Sequence, residues 1–485
     1  MEIIERIDHW GRTTPDRVAH ISGGRSLTYG ELLRRSDALA ARLAATLPPK
    51  APAVVLGHKE PELLVAYLGA IKSGRAYVPV DTAVPAQRVE RIVAASGAGI
   101  TLTPETVPAL SDGREPAPGL TLDTDDHYYI MFTSGSTGEP KGVPITYGCL
   151  QSFLRWTLGE HPFEEGREVF LNVVPYSFDV SLMDTYPSLV TGGTVVSVTK
   201  DELANTRKLY PLLADSTITT WVSTPSFAQM CLVEPSFGAG LLPHLKRFLF
   251  CGETLAPEIA AQLLDRFPDA EVWNTYGPTE ATVATTSIRI TREILDRYDA
   301  LPIGYEMPGT RVVVVDERGD EVPAGERGEI IIAGPNVSPG YLNRPDLVAK
   351  SFFVRDGHRA YRTGDWGRSR DGLLFFEGRM DNQIKLHGYR IELADIEANL
   401  RALPGVRDAV VLPVSKNGSV DSLAAFVILN ERPPGTDFQI ASALKARLIE
   451  RLPAYMIPRK FTFMESFLMN INGKADRKKL AEALQ

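Results

Sequence analysis

The chain has 485 residues, 44% of them apolar and 23% charged, with a formal net charge of -8 and a pI near 5.6. That balance excludes a largely disordered chain, and the acidity argues against a general nucleic-acid or lipid-surface binder. It does not exclude an anionic small ligand, which needs only a local amide-rich or positive pocket, and the length allows about three domain-sized units.

In chain order, residues 55–80 and 170–330 alternate short β-rich runs with amphipathic helical stretches. Ala76–Val80 and Tyr128–Phe132 read as strands, as do Gly193–Val198 and Arg247–Cys251. Glu258–Phe267 reads as a helix with Ile259, Leu263 and Leu264 on one face. The alternation predicts an α/β protein with largely parallel sheets. From about residue 310 the texture changes to short strands and Gly turns, Arg311–Asp316 and then Gly328–Gly334, which predicts a β-rich subdomain. Beyond Asp381 a separate pattern begins. Ile384–Leu400 leads into a helix, Ala409–Val414 and Ala424–Leu429 read as strands, and Ile440–Leu452 as a helix. The expected organisation is a large domain over residues 1–380 and a small α+β domain over 381–485. No internal repeat or low-complexity tract is visible.

Cys149, Cys231 and Cys251 are too few and too scattered for a disulfide framework or a zinc cluster, and they fit a reducing compartment. The start Met1-Glu2-Ile3-Ile4-Glu5 has no signal-peptide pattern, and no run of about 18 apolar residues spans a membrane. A cytoplasmic protein without membrane insertion is expected, with the Asn-x-Ser sequons at Asn336 and Asn417 as chance matches.

The sharpest local feature is Thr133-Ser134-Gly135-Ser136-Thr137-Gly138-Glu139-Pro140-Lys141-Gly142, directly after the Tyr128–Phe132 strand. A Gly/Ser/Thr loop there gathers backbone amides and hydroxyls in a small volume, which suits phosphate oxygens. It is not a Walker A loop, since Lys141 lies between Pro140 and Gly142. An arbitrary Gly/Ser run reads more simply as a polar turn; ten residues in this order, ending Pro-Lys-Gly, favour the phosphate loop.

With this loop stand five further segments in a fixed order. They are Leu27–Leu32 (LTYGEL), Gly74–Asp81 (GRAYVPVD), Asn274–Glu280 (NTYGPTE), Tyr361–Asp365 (YRTGD) and Gly378-Arg379-x-Asp381-x-Gln383-x-Lys385. A sixth, Asn472-Gly473-Lys474, closes the series. Together they resemble the adenylate-forming superfamily of acyl-CoA synthetases, luciferases and amino-acid adenylation domains, over essentially the whole chain. The resemblance implies a large AMP-binding domain, a mobile C-terminal lid with its hinge at Asp381, and ATP with Mg²⁺.

It also implies roles. Thr133, Ser134, Gly135, Ser136, Thr137, Gly138 and Lys141 would hold phosphates. Asn274, Thr275, Tyr276, Gly277, Pro278 and Thr279 would line the nucleotide site, with Tyr276 offering a face to adenine. Glu280 would hold the metal, a hard cation that takes oxygen ligands. Asp365 would accept from the ribose hydroxyls, a charge-assisted pairing, with Phe376, Glu377, Gly378 and Arg379 beside the nucleotide. Lys474 would bridge the acid carboxylate and the α-phosphate as the catalytic residue and touch both substrates. Lys385–Arg390 would enter the site after the lid turns, where Gly388 lets a pantetheine arm pass.

Phe178-Asp179-Val180-Ser181 matches the amino-acid-activating branch, in which Asp179 pairs with the substrate ammonium. Within that branch the longest agreeing segments are Pro175–Asp179, Ser223–Phe227, Phe250–Glu253 and Leu452–Phe461. They resemble the free-standing D-alanine–carrier-protein ligases. There Cys251 lines the side-chain pocket, Met183 and Val283 close it around a methyl group, and the acceptor is the phosphopantetheine thiol of a separate D-alanyl carrier protein in lipoteichoic acid D-alanylation. Val420-Asp421-Ser422-Leu423 echoes a phosphopantetheine attachment site but lacks the preceding Gly pair and is read as structural, between two strands. Arg477-Lys478-Lys479 fits either carrier docking or a solvated helix end. Three alternatives stay open: an adenylation enzyme of nonribosomal peptide assembly using glycine, L-alanine or serine, an acyl-CoA synthetase, and a non-catalytic adenylate- or carrier-binding protein.

Overall fold

A computed structural model describes residues 2–113, 115–119, 121–135, 138–386, 388–416, 419–467 and 475–482. The chain forms two compact units, one of residues 1–81, 95–131 and 142–380, the other of residues 82–94, 132–141 and 381–485.

The first unit is built on parallel sheets, because its strands are apolar on both faces and must be covered on both. In the nine-stranded sheet the order is Tyr305–Glu306, Thr286–Ile290, Glu271–Tyr276, Arg247–Phe250, Thr220–Ser223, Val169–Asn172, Thr194–Ser197, Val18–Ser22, Arg25–Thr28. From Val18–Ser22 to Glu271–Tyr276 every neighbouring pair is parallel; the strands added at each edge are antiparallel. A five-stranded sheet carries Ala53–Leu56 and Tyr77–Val80, also paired in parallel. The helix Glu62–Lys72 is buried along its entire length, as a helix that is apolar all round must be.

Two of the sequence segments set up this scaffold. Thr28 caps the helix Tyr29–Thr46, its side chain accepting from the Glu31 amide while Glu31 reaches back to the Thr28 amide, a capping box. Arg75, almost wholly buried, donates to the carbonyls of Leu47, Pro48 and Ser73 and clamps the chain before its strand. The β-rich part is a five-stranded antiparallel sheet of Arg311–Val315, Arg327–Ala333, Phe352–Arg355, His358–Arg370 and Leu373–Arg379.

The second unit holds its own apolar core, with Leu393, Ile396, Leu400, Val411, Ala425 and Leu448 inside it. Its three-stranded sheet is the long hairpin Val406–Lys416 and Ser419–Leu429 with Lys460–Met464 parallel beside it. Asp421-Ser422-Leu423 therefore lies within a strand, where Ser422 pairs with Val414 and Leu423 with Pro413, rather than between two strands. The strand Val406–Lys416 packs on the helix Leu393–Arg401, and Glu397 of that helix accepts from the Val411 amide. Among the described residues no helix is long and apolar enough to cross a membrane.

Buried histidines make this fold acid-sensitive. His161 meets the Trp273 ring edge-on at 4.6 Å, and burial holds its imidazole down at about 3, with Arg247 adding to the effect. Burial holds His20 at about 3 in the same way. Both folded values lie below the ordinary 6.5, so the stability contributed by the neutral rings is complete above pH 6.5 and lost as pH falls toward 3. Replacing His161 with Phe is expected to flatten the loss of unfolding free energy below pH 6.5, by on the order of 3 kcal/mol at pH 4. Denaturant titrations at pH 7 and pH 4 check it; parallel pH slopes for the variant and the parent would count against it.

Candidate active site

The central strands of the large sheet end at Asn172, Ser197, Ser223, Phe250 and Tyr276 on one edge, the edge where ligands bind in open parallel sheets. The loop after Asn172 leads to a single 3₁₀ turn, Asp179–Ser181, and then to the helix Leu182–Thr191 that carries Met183. Asp179 is half-buried. The Tyr129 hydroxyl is pushed well above its ordinary range, by burial first and then by the Asp179 carboxylate, so the two groups are neighbours.

Cys251 follows the next strand end but one, and its thiol lies 3.8 Å from the Val283 carbonyl. Met183, Cys251 and Val283 are all buried in the same apolar cluster, with Tyr129, Tyr176 and Val180. The backbone at Val283 is held by force. Thr282 and Val283 have φ of +58° and +69°, a left-handed conformation that β-branched residues avoid. The surroundings fix it: Thr282 donates to the Asn336 carbonyl at 2.7 Å, and Asn336 Nδ2 donates to the Ala281 carbonyl at 2.8 Å. Thr310 donates to Asn336 Oδ1 at 2.7 Å. Gly277 admits this turn, since a Cβ there would stand 2.7 Å from the Val283 carbonyl oxygen. Asn336 is thus a buried staple of the site, which its Asn-x-Ser setting gave no reason to expect.

Tyr276 and Asp365 meet directly. The tyrosine hydroxyl donates to Asp365 Oδ2 at 2.6 Å, and Arg379 donates from Nη1 to Asp365 Oδ1 and to the Thr363 carbonyl, both at 2.7 Å. Burial, reinforced by the Asp365 charge, keeps the Tyr276 phenol protonated far above its ordinary range. Each carboxylate oxygen retains a second lone pair for a ligand hydroxyl. The Phe376 ring lies 6.1 Å from that of Tyr276. Gly364 has φ +67°, and a Cβ there would come within 3.0 Å of Arg379 Nη2. The Glu377 side chain is engaged elsewhere, by Arg368 and Arg327.

Glu280, next to Thr279 in a 3₁₀ turn, is fully buried and accepts from the Tyr341 hydroxyl at 2.7 Å, which in turn lies 3.3 Å from that of Tyr361. A single carboxylate suits Mg²⁺ arriving with a nucleotide, because that ion takes most of its ligands from phosphate oxygens and water. No group of three or more His, Cys, Asp or Glu side chains among the described residues could cage a metal unaided.

In the second unit the Gly/Ser loop packs on the hairpin Gln383–Leu386 and Tyr389–Glu392. Ser134 donates to the Arg390 carbonyl at 3.1 Å and accepts from the Glu392 amide at 3.0 Å, and Lys141 Nζ stands 3.5 Å from Glu392 Oε1. At Gly135 a Cβ would fall 2.1 Å from the Glu139 carbonyl oxygen, so no side chain fits; Gly138 has φ +84°. The Thr133 hydroxyl is buried and meets no hydrogen-bond partner among the described residues. Arg88 pairs with the buried Asp395 at 2.9 Å. Asp381 accepts from the Gln383 amide at 3.0 Å and starts the hairpin, whose turn holds Gly388 at φ +83°. Tyr389 stacks on Tyr455 at 3.8 Å. Ser136, Thr137 and Lys474 lie outside the described residues.

The AMP-binding enzyme family matches residues 7–342, and the AMP-binding enzyme C-terminal domain family matches residues 395–474. The chain belongs to the AMP-binding enzyme family. The D-alanine--D-alanyl carrier protein ligase of Bacillus cereus is 48% identical over 499 aligned positions covering 99% of each chain, and the Bacillus anthracis protein of the same name is 48% identical over 498. A Vibrio cholerae adenylation domain solved with glycyl-adenosine-5'-phosphate superposes with a TM-score of 0.86 at 21% identity, covering 100% of this chain and 98% of that one. An artificially fused adenylation–PCP di-domain from Klebsiella oxytoca gives 0.82 at 24%, covering 95% and 93%. At these identities the two structures attest the fold alone. The α/β architecture with a separate C-terminal unit, expected from the alternation of elements, is that of the family.

Proposed function

We propose that the chain is an AMP-forming ligase that activates D-alanine and passes it to the phosphopantetheine thiol of a separate carrier protein, for D-alanylation of lipoteichoic acid. The D-alanine carboxylate attacks the α-phosphorus of Mg²⁺-bound ATP and pyrophosphate leaves. The carrier thiol then attacks the acyl carbon, gives up its proton and displaces AMP. What supports this reading is the Cys251–Val283 contact, in one apolar cluster with Met183, in a chain 48% identical over 99% of its length to a D-alanine--D-alanyl carrier protein ligase.

In this reading Asp179 pairs with the substrate ammonium, and Met183, Cys251 and Val283 leave room for a methyl group and little more. Tyr276, fixed by its bond to Asp365, presents its ring to adenine; Asp365 and Arg379 take the ribose side. Thr133, Ser134, Gly135, Gly138 and Lys141 serve the phosphates, together with Ser136 and Thr137. Asn274, Thr275, Gly277, Pro278 and Thr279 shape the nucleotide wall, Glu280 holds the metal, and Phe376, Glu377 and Gly378 flank the base. Asp381 is the hinge of the lid that carries Lys474, and the enzyme acts in the cytoplasm.

The test is amino-acid-dependent pyrophosphate exchange across D-alanine, L-alanine, glycine, D-serine and acetate. D-alanine is expected to give the highest kcat/KM, over L-alanine by about 10- to 100-fold, the range a few pocket contacts supply. Preference for L-alanine or glycine would move the enzyme to peptide assembly, and silence with all five would overturn the ligase reading.

A further inference from the structure

A buried lysine stands at the start of the loop that carries Asp179, and none of the proposed chemistry uses it. Lys59, on the loop after Ala53–Leu56, is 1% exposed. Its ammonium donates to Asn172 Oδ1 and to the Val174 carbonyl, and lies over the Tyr176 ring, 4.6 Å from the centroid. Asn172 Nδ2 in turn donates to both carboxylate oxygens of Asp184 at 2.9 Å. Ser197 donates to Asn172 Oδ1 at 2.9 Å, and the Tyr176 hydroxyl is 3.3 Å from the Ser197 hydroxyl.

The contacts define what Lys59 holds. Val174 and Tyr176 begin the loop that carries Asp179, and Asp184 follows Met183 in the helix that ends it. Both sides of the pocket loop thus return to one Lys59–Asn172 junction. We propose that Lys59 is a positioning residue, fixing the Val173–Ser181 loop so that Asp179 and Met183 face the substrate; this rests on the pocket reading above.

Burying such a lysine is costly in itself. Burial pulls its ammonium down to about 7 and pushes the Asp184 carboxyl up, each charge being costly away from water. Replacing a whole buried ion pair by apolar groups is often neutral or stabilising, but removing the lysine alone leaves the Asp184 carboxyl, Asn172 Oδ1 and the Val174 carbonyl without this partner. What the lysine supplies, and a methionine cannot, is a directed tie to the Val174 carbonyl and to Asn172.

The experiment is Lys59→Met in the full-length enzyme. Its thermal midpoint is expected to fall, because buried groups lose a partner, and the comparison of the two KM values is made below that midpoint. KM for D-alanine should rise at least 10-fold, with KM for ATP within twofold and kcat at saturating D-alanine little changed. Amides of the 174–181 segment should exchange faster with deuterium, which reports the loop without any substrate. An unchanged D-alanine KM, or unchanged exchange over the segment, overturns the proposal, as does a rise in both KM values together. If the parent enzyme does not depend on D-alanine, the pocket reading fails, and the exchange data alone decide the role of Lys59. Lys59→Gln, which keeps a donor, is the second variant; if neither folds, Lys59 is an element of core stability and the proposal falls.

Discussion

Replacing Lys474 with Ala is expected to slow D-alanyl-adenylate formation by at least about 100- to 1,000-fold while leaving ATP binding measurable. The reason lies in the charges. A carboxylate attacking the α-phosphorus brings one anion against another, and further negative charge develops on the phosphoryl oxygens as the new bond forms. A fixed cation between the two carboxyl and phosphoryl groups is worth more in the transition state than in the ground state, so its loss appears in kcat. The thiol step makes no such demand, since the adenylate is already joined when the carrier arrives. Supplied with preformed D-alanyl adenylate, the variant should therefore load the carrier at close to the parent rate. Pyrophosphate exchange and single-turnover loading separate the two steps. Equal exchange rates in variant and parent would remove Lys474 from the chemistry.

Much of the fold was legible because local pattern and tertiary role coincide in it. The strand Arg247–Phe250 and the helix Pro257–Arg266 carry apolar residues at the spacing their burial requires, Ile259 and Leu263 among them. The antiparallel edges Thr286–Ile290 and Tyr305–Glu306 were not legible, since pairing direction is decided by contacts far away in sequence. The hairpin strands Val406–Lys416 and Ser419–Leu429 extend beyond the apolar cores Ala409–Val414 and Ala424–Leu429, because ladder bonds continue past the last buried side chain.

The site divides in the same way. Its residue types were readable as motifs, but not the bonds among them. Tyr276 finds Asp365 across 89 positions. Asn336 reaches Ala281 across 55 and Thr310 across 26, so nothing adjacent to it announces a structural role. Lys59 meets Asn172 across 113 positions. A buried polar group is identified by its partners, and only the folded chain brings these partners together.

Asp179→Asn tests the pocket most directly, because the amide keeps the shape and removes the charge. The variant is expected to raise KM for D-alanine by about 30- to 3,000-fold, corresponding to the roughly 2–5 kcal/mol lost when one partner of a desolvated ion pair is neutralised. KM for ATP should stay within twofold, since Tyr276, Asp365 and Arg379, the partners proposed for the nucleotide, bond among themselves. Propionate is the decisive comparison: it has the same methyl group and carboxylate but no ammonium. In the parent propionate would bring no cation to the Asp179 carboxylate, so D-alanine should be favoured strongly. In Asp179→Asn that advantage disappears, and the ratio of kcat/KM for the two acids should fall by at least about tenfold. A ratio that stays the same while both acids weaken would mean that Asp179 supports the loop rather than the substrate. A D-alanine KM unchanged from the parent would mean that another anion takes the ammonium. The Tyr129 hydroxyl supplies an independent view of the same charge, for after burial Asp179 is the largest of the groups that raise it, ahead of Tyr77 and Cys149. Neutralising Asp179 should therefore lower the Tyr129 pKa even without substrate, a shift that follows from the carboxylate's position and owes nothing to which acid the enzyme prefers.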